Sequence, residues 1–166
     1  MPASAVNRLR FVAVGQDHPL AAPLLVELTV EYASRYGVAE SDVSKWLRGY
    51  PADEFAPPGG GLLIGLLDDQ PVTGGAFCRF DADTDTAELK RIWTDGRHRR
   101  QGHAKALLVE LEAVVAARGY RRVYLTTGDR QPEAEALYLS SGYTRLAEPL
   151  PAESDVFPIA FMKRLS

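Results

Sequence analysis

The chain has 166 residues, of which 46% are hydrophobic and 25% are charged, and its formal net charge is −3. This length and composition are typical of a single globular domain, here residues 1–166, with a sizeable buried core. A mildly acidic chain is a poor general ligand for nucleic acid, and no apolar run is long enough to span a membrane, so we expect neither partner. We expect a cytoplasmic protein, because the first residues lack the apolar core of a secretion signal.

The first part of the chain predicts one strand, two helices and a loop. Residues 10–14 form an apolar stretch that suits a short strand. Asp17 is predicted to cap the helix that follows, in which apolar residues recur every fourth position up to Gly37. Ser41 is predicted to cap a second, shorter helix, and the proline- and glycine-rich residues 51–61 are predicted to form a loop.

Two apolar runs, at residues 62–67 and 72–80, predict a pair of strands on either side of a turn. Gly74 and Gly75 in the second run indicate a bulge or a close approach of another backbone. The one cysteine of the chain, Cys78, lies in the same run, which predicts a buried core residue. A single cysteine also excludes an internal disulfide and a cysteine-based zinc site.

The side chains of residues 87–94 alternate between two faces, which predicts a fourth strand. One face is expected to carry Ala87, Leu89, Arg91 and Trp93. The other face is expected to carry Glu88, Lys90, Ile92 and Thr94. An amphipathic helix beginning near Ala104 is predicted to end near Gly119, where a strand at residues 122–127 follows. A short helix from Pro132 and two final strands, at residues 143–146 and 156–165, complete the chain. A parallel pairing across the long helix, flanked by hairpins, predicts a mixed sheet with helices on both faces.

The turn before the long helix has the features of an anion site. Residues 99–105 read Arg-Arg-Gln-Gly-His-Ala-Lys. A glycine-containing turn aims backbone N–H groups at phosphate oxygens, and the positive end of the helix dipole adds attraction. Because the chain as a whole is acidic, this basic cluster predicts a local anion such as a pyrophosphate.

Two common nucleotide-binding motifs are absent. The chain has no Gly-x-x-x-x-Gly-Lys-Ser/Thr loop and no Gly-x-Gly-x-x-Gly fingerprint after its first strand. What remains is Arg99-x-x-Gly102-x-Ala104 after a strand in the middle of the chain. The segment Ala-Leu-Tyr-x-x-x-Gly-Tyr follows at residues 136–143.

With these motifs the chain resembles the GCN5-related N-acetyltransferase (GNAT) superfamily. The matching segments are Glu-Leu-Lys-Arg-Ile-Trp-Thr at 88–94, Arg-Arg-Gln-Gly-His-Ala at 99–104, and residues 132–143. The match is dense over residues 87–146 and agrees in element order over nearly the whole chain. The resemblance implies the mixed α/β (α+β) GNAT fold, whose central sheet of six to seven strands is mostly antiparallel and has helices on both faces.

The resemblance implies acetyl-CoA as donor and no metal. The backbone of Ile92, Trp93 and Thr94 would then pair with the pantetheine arm and help to hold the acetyl carbonyl. Gln131, at a position where relatives often carry asparagine, would hydrogen-bond a pantetheine amide. The pyrophosphate would lie against Arg99, Arg100, Gln101, Gly102, His103, Ala104 and Lys105, although many relatives have glycine where this chain has Arg100.

Two residues match the roles that direct acyl transfer requires. Tyr138 matches the family's leaving-group acid, because a phenol can donate a proton to a developing thiolate. The alternative is that it packs as an ordinary aromatic residue. Glu88 is the candidate base, acting directly or through a water, and the alternative is an ion pair with a residue such as Lys90. An acceptor amine could also arrive neutral and need no base.

The sequence therefore predicts an acetyl-CoA-dependent N-acetyltransferase acting on a primary amine of a small molecule or peptide. A non-catalytic acyl-CoA-binding module and a longer acyl donor are the alternatives. Tyr32, Tyr36 and Trp46 either line an acceptor pocket or pack in the core. His98 and His103 are expected on opposite sides of the turn, which argues against a metal site. Exposed strands near the C-terminal end would suit a homodimer.

Overall fold

The computed structural model describes residues 9–48, 52–80, 83–127, 132–147 and 159–165. In this part of the chain, seven strands form one sheet in the order β1-β2-β3-β4-β5-β7-β6. The strands are β1 (Leu9–Ala13), β2 (Gly61–Leu67), β3 (Gln70–Phe80), β4 (Asp83–Thr94), β5 (Arg122–Thr127), β6 (Thr144–Arg145) and β7 (Ile159–Arg164). The helices are α1 (Ala22–Tyr36), α2 (Glu40–Arg48), α3 (His103–Ala117) and α4 (Pro132–Ser140). The predicted element order and the mixed, mostly antiparallel sheet are confirmed.

Strands β4 and β5 are parallel neighbours, whereas the other neighbouring strands described are antiparallel. Their pairing covers Thr86–Glu88 of β4 and Arg122–Tyr124 of β5. Both strands continue for several residues beyond it, and helix α3 makes the crossover between them. The two strands therefore separate in the middle of the sheet and open a cleft there.

Helices cover both faces of the sheet, as predicted. Helix α3 packs on one face, where its leucines lie against apolar side chains of β2 to β5. Helices α1 and α2 pack on the other face against β2 and β3. Cys78 belongs to this second core and is 2% exposed, in agreement with its predicted burial. No helix in the described part of the chain is long and apolar enough to cross a membrane.

A bulge in β4 overturns the predicted division of its two faces. Gly74 pairs with Trp93 and Ala76 pairs with Lys90, so the single Gly75 lies opposite two residues, Arg91 and Ile92. An extra residue in one strand moves the following side chains to the opposite face. Leu89 and Ile92 therefore face the α3 core, while Trp93 packs in the α1 core.

This changes the geometry of the predicted site. Arg91 and Trp93 do not share a face with Leu89, and the prediction that they do is wrong. The predicted bulge is confirmed, but a side chain rather than a backbone approaches Gly75: a β-carbon there would lie 2.6 Å from the Ile92 Cδ1 atom. The extra residue itself stands in β4, opposite Gly75.

Two predicted helix caps are also wrong. A 3-10 turn at Pro19–Ala21 precedes α1, and the His18 Nδ1 atom, rather than Asp17, accepts the backbone N–H of Leu20 at 3.0 Å. Helix α2 begins at Glu40, so Ser41 lies inside it. A side-chain cap is a local preference that a neighbouring residue can replace at small cost.

Candidate functional site

The cleft between β4 and β5 has a volume of about 630 Å³. Helices α1 and α2 close it on one side, and α4 closes it on the other. The first turn of α3 lies at one end. Residues from every segment that the sequence predicts to be functional, apart from Gln131, line this cleft. Gln131 lies outside the described residues.

The turn at residues 99–105, called the basic turn below, reaches the cleft through its backbone. Arg100 has a φ of +64° and Gly102 a φ of +81°, directly before α3 begins at His103. Both values lie in the left-handed region that favours glycine. A β-carbon at Gly102 would have no heavy atom within 4 Å, so the turn is open on that side. The first N–H groups of α3 have no acceptor within the helix and can face an anion.

Arg99, Arg100, Gly102, His103, Ala104 and Lys105 all line the cleft, but their side chains have different partners. The Arg99 guanidinium lies 2.9 Å from Glu31 Oε1 of helix α1. Arg97 pairs with Asp95 at 3.3 Å and does not line the cleft. Gln101 does not line it either, and its Oε1 atom lies 3.2 Å from His103 Nε2.

The two histidines of the turn lie close to one another, contrary to the sequence-based expectation. The ring centroids of His98 and His103 are 6.2 Å apart, and both rings line the cleft. The His98 Nδ1 atom lies 2.6 Å from Asp95 Oδ2. Burial, and secondarily the charge of His98, lower the pKa of His103. Among the described residues, no group of three or more His, Cys, Asp or Glu side chains could hold a metal ion.

Tyr138 belongs both to the core and to the cleft. Its ring packs against Tyr143 and Phe161, at centroid distances of 5.8 and 5.5 Å, and the residue is 5% exposed. It also lines the cleft across from β4. Burial, with a smaller contribution from Tyr32, raises the pKa of the Tyr138 phenol. The hydroxyl therefore keeps its proton at neutral pH.

Glu88 lies where the pairing of β4 with β5 ends. It pairs in register with Tyr124, is 6% exposed and lines the cleft. The Lys90 Nζ atom is 3.6 Å from Glu88 Oε2. This contact is the ion pair that the sequence analysis gave as the alternative to Glu88 acting as a general base. A carboxylate and an ammonium group therefore lie together at the inner end of the cleft.

Aromatic residues of the two N-terminal helices form the wall opposite α4. Tyr32 and Trp46 line the cleft, with ring centroids 6.2 Å apart, and Trp46 is 49% exposed. Tyr36 packs edge-on against Tyr32 but is not part of the lining. Two of the three predicted aromatic residues therefore reach the cleft.

Arg91, which the sequence analysis did not single out, joins this wall to the bulge. It has a φ of +62°. Its guanidinium donates to Gln16 Oε1 at 2.7 Å and to the carbonyl oxygen of Leu47. It also lies over the ring of Phe55 at 5.0 Å from the centroid. Its backbone conformation belongs to the bulge opposite Gly75, and the glycine pair of β3 was the local sequence signal for that bulge.

An ion-pair network across the mouth of the cleft was also not predicted. Arg35, near the end of α1, pairs with Glu31 at 3.1 Å and with Glu133 in the first turn of α4. Glu31 in turn pairs with Arg99 of the basic turn. The network joins three separate segments around the opening. The i,i+4 spacing of Glu31 and Arg35 was the one sequence signal for it.

The sequence and the fold both match known acetyltransferases. A family model described as "Acetyltransferase (GNAT) family" matches residues 25–143. A segment of 61 residues is 39% identical to human N-acetyltransferase 8, and it covers 37% of this chain. The matched part is 27% of the length of that relative.

Solved structures share the fold over nearly the whole chain. An acetyltransferase of the GNAT family from Staphylococcus aureus has a TM-score of 0.73 and 16% identity, and the match covers 95% of this chain and 99% of that chain. The PaiA N-acetyltransferase of Thermoplasma acidophilum, solved in complex with coenzyme A, has a TM-score of 0.70 and 15% identity. That match covers 95% of this chain and 99% of that chain. At such identities the likeness shows the fold alone.

Proposed function

Because the chain belongs to the GNAT family of acetyltransferases, we propose that it transfers an acetyl group from acetyl-CoA to a primary amine of a small molecule or peptide. The proposed enzyme is a single cytoplasmic domain that spans residues 1–166. The observation that carries the proposal is the cleft between β4 and β5, which has a helix N-terminus at one end and Glu88 and Tyr138 in its walls.

The cleft fits the donor in size and polarity. Its volume of about 630 Å³ falls in the usual range for small-molecule sites. The open turn at Gly102 and the first N–H groups of α3 would bind the pyrophosphate, with charge from Arg100 and Lys105. Beyond Glu88, β4 is not paired with β5, so Ile92, Trp93 and Thr94 are the candidates for backbone contacts with the amides of the pantetheine arm. Of these groups, the Trp93 carbonyl already accepts the Thr73 hydroxyl at 2.7 Å. Gln131 remains a further candidate for that contact.

The proposed reaction is a direct transfer. The neutral amine nitrogen attacks the thioester carbonyl carbon, and a backbone N–H next to the bulge stabilises the oxyanion. The C–N bond forms and the C–S bond breaks. Before the attack, Glu88 accepts a proton from the bound ammonium group and leaves the nitrogen neutral. The second proton, which the nitrogen loses once the C–N bond has formed, balances the proton that Tyr138 donates to the departing CoA thiolate. The products are an acetylated amine and CoA.

Burial holds the proton on the Tyr138 phenol and also makes it a weaker acid than a phenol in water. Its raised pKa means that the phenol carries a proton over the whole neutral range. A thiolate formed in the same cleft is a better proton acceptor than it would be in water, because the site is partly shielded from solvent. Its packing against Tyr143 and Phe161 limits the motion of the ring, so the hydroxyl is held in one place.

A thiol-release assay with acetyl-CoA tests the function. The acceptors would be amino acids, aliphatic and aromatic amines, and peptides with free N-termini or lysines, with products identified by an acetyl mass increase. A Gly102→Val variant is the control, because a β-branched residue at φ +81° would distort the turn. We expect transfer by the natural sequence and loss of donor binding by the variant.

Two outcomes would contradict the proposal. Tight binding of acetyl-CoA without transfer to any acceptor would instead support a non-catalytic acyl-CoA-binding protein. Faster transfer from a longer acyl-CoA would show that acetyl is not the natural acyl group.

A further inference from the structure

One carboxylate at the mouth of the cleft is shared between two arginines. The Glu31 Oε1 atom lies 2.9 Å from the Arg99 guanidinium and 3.1 Å from that of Arg35. The Glu31 side chain is 22% exposed and lines the cleft. Helix α1 is therefore tied both to the basic turn, through Arg99, and to α4, through Arg35 and Glu133.

This arrangement conflicts with the proposed role of Arg99. Arg99 already uses Nη2 for the Glu31 carboxylate and Nε for the Thr94 carbonyl, at 2.9 and 3.5 Å. A bidentate contact with a pyrophosphate would draw on these same groups, so the phosphate and the carboxylate compete for them. The phosphate oxygens would also approach the Glu31 carboxylate, and like charges repel at short range. Glu31 keeps a second partner, Arg35, so it is not left without a counter-charge when Arg99 departs.

We infer that Glu31 is a positioning residue that competes with the donor's pyrophosphate for Arg99. This inference rests on the proposed function. Binding of the diphosphate transfers Arg99 from α1 to the ligand and leaves Glu31 paired with Arg35. The competition lowers affinity specifically for donors that carry a diphosphate. A pantetheine donor without phosphate does not engage Arg99 and is unaffected.

The exchange also links the two halves of the cleft. Tyr32, which lines the wall opposite α4, directly follows Glu31 in helix α1. Loss of the Arg99 contact removes one of the ties that hold this part of α1 to the basic turn. Binding of a diphosphate at the basic turn would therefore loosen the attachment of helix α1, which borders the rest of the cleft.

Calorimetric titration with CoA tests the competition. Glu31→Gln should bind CoA about threefold to tenfold more tightly, as expected for the loss of one partly exposed ion pair and one like charge. Pantetheine should bind both proteins equally. Glu135→Gln is the matched control, because it removes the same charge from α4 at a residue that pairs with Arg145 outside the cleft. Its affinity for CoA should stay within about twofold.

A double-mutant cycle separates competition from simple charge repulsion. In an Arg99→Gln background, Glu31→Gln should tighten CoA binding clearly less than in the natural sequence, because only the like-charge repulsion is then removed and there is no guanidinium to release. Glu31→Asp keeps the charge but shortens the reach to Arg99, so it should also tighten CoA binding. It provides a second measurement should Glu31→Gln fail to fold.

Each result has a defined meaning. Weaker CoA binding by Glu31→Gln, or an equal gain in the Arg99→Gln background, would overturn the competition while leaving the proposed function intact. Failure of the natural sequence to bind CoA would overturn both.

Discussion

The side chain of Ile92 lies directly over Gly75, and a β-carbon on that glycine would come within 2.6 Å of the Ile92 Cδ1 atom. At this point β4 has two residues opposite one residue of β3. The missing side chain at Gly75 makes room for the bulge, and the bulge puts Ile92 on the same face of the sheet as Leu89, with Trp93 on the other face. A glycine in one strand therefore shapes the cleft wall that the next strand provides.

We predict that Gly75→Ala destabilises the fold. The added methyl group would also lie 3.1 Å from a Leu111 methyl carbon, and overpacking of this kind costs about 1–3 kcal/mol. The free energy of urea unfolding measures the effect. Gly15→Ala is the control, because a β-carbon there has no heavy atom within 4 Å, and it should change stability by less than about 0.5 kcal/mol. Equal stability of the two variants would contradict the packing argument.

The left-handed backbone of Arg91 can be tested by two truncations. Arg91→Gly and Arg91→Ala both lose the contacts with Gln16 and Leu47. They differ in the cost of a φ of +62°, which glycine avoids and which costs alanine about 1 kcal/mol. We expect both variants to be less stable than the natural sequence, and the alanine variant to have the lower free energy of unfolding of the two by that amount. An alanine variant as stable as the glycine variant would show that the bulge relaxes.

The proposed acid role of Tyr138 predicts a selective loss of rate. Tyr138→Phe keeps the packing against Phe161 but removes the proton, so kcat should fall about 100-fold, whereas the Kd for CoA should change less than about twofold. Because burial raises the pKa of the phenol, its ionisation should cause no loss of rate between about pH 7 and 10. Tyr143→Phe is the control. The Tyr143 hydroxyl donates to Glu112 Oε2 at 2.9 Å, and neither residue lines the cleft. If Tyr138→Phe lost kcat and CoA affinity to the same extent, that result would argue against Tyr138 as the general acid.

The proposed base role of Glu88 predicts a pH-dependent defect. Glu88→Gln should lower kcat about 100-fold near pH 7 with an aliphatic amine acceptor. The difference from the natural sequence should shrink toward pH 10, because a larger fraction of an amine with a pKa of about 10.4 is then already neutral. A defect of constant size across this range would instead assign Glu88 to the structural ion pair with Lys90.

The environment of His103 predicts that the fold weakens in mild acid. Its pKa is lowered by burial and by His98, so the unfolded chain, with a histidine pKa of about 6.5, binds the proton first. The stability contributed by the neutral imidazole is complete above that pH and is lost as the pH falls through 6.5 toward the folded-state pKa. Urea unfolding at pH 7.5 and 5.5 should show this slope, and His103→Gln should reduce it. An unchanged slope in the variant would assign the acid sensitivity to other groups.

The sequence by itself determined the order of the elements, the mixed sheet with helices on both faces, and the turn at Gly102. These features rest on local periodicity, on turn residues and on the spacing of short motifs, all of which act within a few residues of the chain. It also singled out Glu88 and Tyr138, which the fold brings to the same cleft from β4 and α4.

Only the tertiary structure decided which way the side chains of the cleft point and which partners they have. The left-handed Arg91 follows from the pairing of β4 with β3, and the Glu31–Arg99 ion pair joins residues 68 positions apart. The ring centroids of His98 and His103 lie 6.2 Å apart, although five positions separate the two residues in the chain. The glycine pair of β3 pointed to a bulge, but the strand that carries the extra residue and the distant charges that pair are set by packing between separate segments, so no local pattern of residues indicates them.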